Sequence, residues 1–251
     1  MEPLAETLSF SAISWWNAGY PDRATLSAQS AVERARELRQ PFSIAQTLLP
    51  ASWVATWRGE YETACKLARE GVEVAKHEGY PHVMAGCTFV LGWAAGLQGK
   101  FEHGTALIRQ GIAGWTLPMV KYQHVMLAEV YLKADQPLDA LESLTKFAEM
   151  ATPNGEHLGE SEAQRLRAEA LMMIDRSSAT AAEQHLRAAA AIAAEQGAKS
   201  FELRATASLA RLLRDIGRRD EARATLADIY GWFIEGFNTR DLKNAGVLLM
   251  N

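Results

Sequence analysis

The chain has 251 residues, 48% of them hydrophobic and 22% charged, which is enough apolar material for one large domain or an elongated array and too much for a disordered chain. Its formal net charge of −4 gives no general attraction to nucleic acid or anionic lipid, so no direct nucleic-acid or membrane partner is expected. Two cysteines make no disulfide framework, MEPLAETLSF has no leader pattern, and no stretch nears the roughly 18 uninterrupted apolar residues of a membrane span; a cytoplasmic location is expected.

Along the chain one short event recurs. AGYPDRA, ending near Ala24, is a degenerate first copy. It is followed by GEYETA (Gly59 to Ala64), GKFEHG (Gly99 to Gly104), DQPLDA (Asp135 to Ala140), a weaker SSATAA (Ser177 to Ala182) and GRRDEA (Gly217 to Ala222). Their last residues lie 40, 40, 36, 42 and 40 positions apart, which is an internal repeat. In each, a glycine or aspartate can end one helix with positive φ, and an acidic residue suits the first turn of the next. The final small residue lets the two helices approach.

The flanks carry helical periodicity. IAQTLLPASWVATWR precedes Gly59, and YETACKLAREGVEVAKHEG follows it until Gly79, Tyr80 and Pro81 stop the helix. LGWAAGLQGKFEHGTALIRQGIAGW and LRATASLARLLRDIGRRDEARATLADIYGWF repeat the pattern. No segment alternates with period two, so no sheet is expected. About twelve helices in six pairs follow from this pattern.

The turn chemistry, with Leu91-Gly92 before Gly99 and the small residues Gly71 and Gly111 late in second helices, resembles the tetratricopeptide repeat. The period is about 40 here against 34 in that repeat, which implies longer helices or loops. The run from Gln196 to Leu249 is similar to the end of the helical region in large bacterial regulators that couple a nucleotide-triphosphatase module, often with a class III adenylate or guanylate cyclase domain, to a C-terminal repeat array. The similarity extends more loosely back through PFSIAQTLLPASW and HEGYPHVMAGCTFVLGWAAGLQGK. It implies a docking or sensing region of a signalling protein. The expected fold is all-α, a TPR-like superhelix of about six hairpins over 4–40, 41–80, 81–117, 118–155, 156–197 and 198–234, with a capping helix over 235–251.

The residues offer no catalytic constellation, and the chain is not expected to be an enzyme or to carry a cofactor. Gly99-Lys100 lacks the preceding glycine and following hydroxyl of a phosphate loop, and no HExxH, GxSxG or paired CxxC occurs. His77 and His82 flank one turn without a third ligand of metal-site spacing. Cys65 and Cys87 sit in apolar helical patterns, as small buried hydrophobes do.

In tetratricopeptide arrays the first helix of each pair lines a concave groove. By that resemblance the inward positions are Trp16 and Asn17, then Gln46, Leu49, Trp53 and Trp57, then Phe89 and Trp93. Next come Tyr122 and Glu129, Arg167, and finally Arg204, Arg211 and Arg214. Such a groove is aromatic at one end and arginine-lined at the other, raw material for binding a protein or peptide, with the arginines suited to acidic groups. The alternative for the tryptophans is packing between helices, and for the arginines a solvated face paired with Glu202, Asp215 and Asp220. At the end of the chain, Leu242, Ala245, Val247, Leu248 and Leu249 share one side of a helix that can cover the last repeat, with Trp232, Phe233 and Phe237 as anchors. The function expected is a non-catalytic interaction scaffold. A small-molecule sensor with an aromatic pocket and a self-association module are the alternatives.

Overall fold

The computed structural model describes residues 2–115, 120–150 and 158–250. Among them thirteen α-helices follow one another and no strand occurs. They are α1 (Pro3–Asn17), α2 (Pro21–Glu37), α3 (Pro41–Arg58), α4 (Tyr61–Glu78), α5 (Pro81–Leu97), α6 (Phe101–Gly114) and α7 (Val120–Lys133). Then come α8 (Pro137–Glu149), α9 (Glu160–Ile174), α10 (Ala179–Glu195), α11 (Lys199–Asp215), α12 (Arg219–Trp232) and α13 (Arg240–Met250). The repeat boundaries expected at 117/118 and 155/156 lie outside the described residues.

Local chemistry accounts for where the helices stop and start. Gly19, Gly59, Gly99 and Gly217 hold φ of 89°, 84°, 91° and 90°, and Asp135 holds 59°, so five of the six recurring turns leave one helix through the left-handed region and enter the next. The weak fifth copy behaves differently. There Asp175 is extended and a short 3-10 turn, Arg176–Ser178, leads into α10. Proline opens α1, α2, α3, α5 and α8, where its missing N–H costs nothing.

Consecutive helices pair into six hairpins, and α13 stands alone. Each odd-numbered helix from α1 to α11 touches the next odd-numbered one, while each even-numbered helix packs on its hairpin partner and on the following odd helix. The odd helices therefore form an inner row and the even ones an outer row. Helices α3 and α5 are buried on nearly every side, which is why PFSIAQTLLPASWVATWR and PHVMAGCTFVLGWAAGL are apolar all round. Outer helices need only one apolar stripe, as in Ala182, Leu186, Ala189 and Ala193 of α10. Helices α5 and α6 cross closely at two glycines: a Cβ on Gly92 would stand 2.6 Å from the Gly104 carbonyl oxygen.

The inner row does not stay open. Helix α11 returns to α1, where the Ser200 hydroxyl donates to the Trp16 carbonyl at 2.6 Å. The segment after α12 completes the closure. The Glu235 carboxylate accepts from the backbone N–H groups of Asp22 and Arg23, each at 3.0 Å, and the Asp22 carboxylate accepts from the Gly236 N–H at 3.0 Å. Helix α2 has no side-chain cap of its own, so its exposed N-terminal donors are satisfied by a residue more than 200 positions away. Phe233 is buried beside this closure, whereas Phe237, an expected anchor, stays half-exposed and only meets Tyr230 edge to face.

Candidate functional site

Closure of the inner row directs aromatic side chains at one another along the axis. Trp16 of α1 stacks on Trp57 of α3 with ring centres 4.1 Å apart and planes 13° apart, and Phe201 of α11 meets Trp16 edge-on at 5.1 Å. Trp53 packs against Trp57, Phe89 and Tyr122 at 5.4, 5.8 and 5.5 Å. Trp93 donates its indole N–H to the Glu129 carboxylate at 2.9 Å. Trp16, Trp53, Trp57, Phe89, Trp93 and Tyr122 are all buried, as is Leu49, and Asn17 and Gln46 are partly buried.

The aromatic wall expected from the sequence is thus filled by its own members. The physical reason is the return of α11 to α1, which brings facing inner helices within the reach of a tryptophan ring and squeezes out the groove. These six aromatics are core, the packing alternative, and offer no open surface to a partner.

The arginine end keeps an opening. A cavity of about 300 Å³ lies there, walled by α7, α9, α11 and α13. Arg204 crosses its floor: Nε donates to Asp241 at 2.5 Å, Nη1 to Glu162 at 3.3 Å and Nη2 to the Trp57 carbonyl at 3.2 Å. Its guanidinium also lies 5.1 Å from the Trp16 ring centre. Arg165 grips Glu162 through two bonds of 2.7 and 2.9 Å and reaches Glu169 at 2.7 Å. Arg240 donates to Asp241 at 3.1 Å and to the Tyr61 hydroxyl, and lies 4.0 Å from the Glu129 carboxylate. Arg211 lines the same cavity and donates to the Ser208 hydroxyl at 3.3 Å.

Burial shifts these charges, and pairing decides the direction. Loss of water favours neutral Glu162 and Asp241, but the neighbouring guanidinium groups outweigh it. Arg165 and Arg204 hold Glu162 below the usual carboxylate range, and Arg204 with Arg240 holds Asp241 at about 2. Burial likewise disfavours charged Arg204, yet Asp241 and Glu162 keep it firmly protonated. For Arg211 burial outweighs the attraction of Glu169 and pushes it below its ordinary value.

Of the four arginines expected to face inward, Arg204 and Arg211 do so and two do not. Arg167 is displaced by Arg165, two residues earlier; its charge acts on His185 of the outer helix α10. Arg214 lies in a separate outer hollow with Arg219, Asp220 and Arg223 and stands 3.8 Å from Asp215. Glu129 faces the axis as expected. Glu162, Arg165, Arg240 and Asp241 escaped the sequence reading; an arginine and two glutamates at i, i+3 and i+7 spacing on α9 were the only available signal for the first two.

The segment entering α13 is therefore held by four helices. Arg58 of α3 donates to Asn238 at 3.2 Å, Tyr61 of α4 and Glu129 of α7 contact Arg240, and Arg204 of α11 holds Asp241. Arg58 also donates to the Pro21 carbonyl at 2.8 Å and to Asp22 at 3.0 Å, tying this grip to the closure. On its other side α13 buries Leu242 and Ala245 against the last hairpin, so it caps the apolar edge as well. His77 is exposed and His82 lies against Phe42, and among the described residues no group of three His, Cys, Asp or Glu side chains gathers as a metal site. Among them, too, no helix is long and apolar enough to cross a membrane.

Comparison with solved structures places this architecture among TPR-like solenoids. A variant of the nearly identical TPR-like repeats from a Podosopora anserina kinesin light chain candidate is 19% identical over 74% of this chain and 92% of its own, with a TM-score of 0.51. The assembly chaperone of RpL4, Acl4, is 15% identical over 98% of this chain and 96% of its own, with a TM-score of 0.46. The TPR2AB domain of yeast Sti1, solved in complex with an HSP90 peptide, is 14% identical over 98% of each chain, with a TM-score of 0.38. No protein-family model and no curated protein matches the sequence.

Proposed function

We propose that this chain is a protein-interaction scaffold that captures a helical segment of a partner at the mouth of its axis. The observation that carries this reading is the grip on α13: Arg58, Tyr61, Glu129 and Arg204, from four helices, converge on residues 238–241. Ion pairs and hydrogen bonds set the register, and the apolar side of the captured helix is covered by the last hairpin. A partner segment presenting an acidic residue to Arg204 would use the same contacts in place of α13.

The finer reading is that the partner is a regulated catalytic module, a nucleotide triphosphatase or class III cyclase of a bacterial signalling protein. The resemblance of Gln196 to Leu249 to the helical region of such proteins supports it. In that setting α13 competes with the partner, and capture is a population shift between two occupants of one mouth.

A labelled peptide of residues 236–250, titrated into the full chain, tests capture. Asp241→Lys in the chain repels Arg204 and frees the mouth, so the peptide should bind that variant saturably and the unaltered chain more weakly. Absence of binding to both, with the variant still helical, would refute the reading.

A further inference from the structure

The cavity at the axis mouth has two cations that helix capture does not use. Its other charges satisfy one another: Arg165 sits on Glu162 and Glu169, Arg204 on Asp241 and Glu162, and Arg240 on Asp241. Arg211 and Lys133 line the same walls, and neither forms an ion pair with a described carboxylate. The two differ in surroundings. Lys133 is exposed at the end of α7, whereas Arg211 is half-buried with one described hydrogen bond, to the Ser208 hydroxyl at 3.3 Å.

Arg211 reaches the Glu169 carboxylate only through the Ser208 hydroxyl, so its half-buried guanidinium is incompletely compensated and an arriving anion removes the remaining cost. The Arg211 fork matches an oxyanion through two parallel bonds, while the Lys133 ammonium adds a movable point charge. Ser208 is already engaged, donating to Glu169 at 2.9 Å and accepting from Arg211, so it fixes the fork's position. A volume of about 300 Å³ is at the small end of ligand pockets and suits a compact molecule.

From this geometry we infer that the cavity is a binding site for a small free oxyanion, a phosphate or carboxylate compound seated on Arg211 and Lys133. The inference concerns a ligand other than the captured helix and applies to the chain with α13 in place as a wall of the cavity.

Inorganic phosphate titrated against the full chain at constant ionic strength, read by phosphorus NMR line width, is the test. Saturable broadening is expected, with succinate competing. Arg211→Gln and Lys133→Gln should each weaken binding at least tenfold, and Arg214→Gln in the outer hollow should leave it unchanged. Lys133 is exposed, so its variant reports even if Arg211→Gln fails to fold. Non-saturable broadening, or equal affinity in Lys133→Gln and the parent chain, overturns the inference. So does a result in which N-acetyl-glutamate amide binds while phosphate and succinate do not, because the site would then read an acidic protein side chain.

Discussion

Arg204 and Asp241, 37 positions apart in sequence, form a 2.5 Å hydrogen-bonded ion pair where α13 enters the axis, shorter than the contacts Arg204 makes with Glu162 and Asp241 with Arg240. Asp241→Ala leaves Arg204 and Arg240 facing each other in a site largely withdrawn from water. Breaking a buried pair from one side costs about 3–5 kcal/mol, whereas replacing both members by apolar side chains costs far less. Urea denaturation should show that loss for Asp241→Ala and a smaller one for the Arg204→Met, Asp241→Leu double variant.

The same carboxylate makes stability depend on acidity. Burial raises the Asp241 pKa, but Arg204 and Arg240 outweigh it and hold the group at about 2, below its unfolded value. A depressed value stabilises the fold above the unfolded pKa and loses that contribution as pH falls through the folded one. Stability should therefore decline between about pH 4 and pH 2, with about 2 kcal/mol from this residue. Denaturation curves across that interval should be flatter for Asp241→Asn, and Glu162, depressed by Arg165 and Arg204, adds to the decline in the parent.

Trp57 is 1% exposed and stacks on Trp16, so Trp57→Ala opens a cavity on the axis. The expected cost is about 3–5 kcal/mol. Trp15, one residue from Trp16 but 38% exposed, should cost about 1 kcal/mol or less when replaced by alanine. Thermal unfolding of the two variants separates a core role from a surface role.

Gly59 and Gly99 end equivalent helices with φ of 84° and 91°, yet only one faces α13. A Cβ on Gly99 meets nothing within 4 Å, so Gly99→Ala carries the left-handed backbone cost alone, about 1–2 kcal/mol. A Cβ on Gly59 would stand 2.8 Å from the Arg240 Cβ. Gly59→Ala should destabilise further and raise hydrogen exchange in α13, an effect absent from Gly99→Ala.

Cys87 is fully buried, and burial pushes its thiol up to about 12. Because the thiolate is the reactive form, maleimide should label it only after unfolding. Cys65, nearer the surface and also raised by burial, should label faster.

The hairpins were readable because their turns impose a local demand. Positive φ at Gly59, Gly99 and Gly217 selects glycine, and that selection is printed in the sequence at nearly constant spacing. The closure was not readable, because Glu235 on the N-terminus of α2 and Asp241 on Arg204 are pairings with no local signature. The error on α9 has a geometric origin. The turn next to α9 is the weakest copy of the repeat and fixes the helix phase poorly, and a slip of two residues rotates a side chain by about 200°, exchanging Arg165 for Arg167. The aromatic positions were correctly placed on inner helices, but whether an inner face is open depends on how far the superhelix has turned, which no single hairpin encodes.

The meeting of α11 with α1 fixes the number of repeats. An open array can lengthen by duplication, since each added unit finds a free edge to stack on. Here six hairpins complete the circuit, and Ser200 already occupies the Trp16 carbonyl that an intervening seventh would have to prise away. Evolution of this architecture is thereby steered toward exchanging units or altering loops, with copy number held by the geometry of the ring.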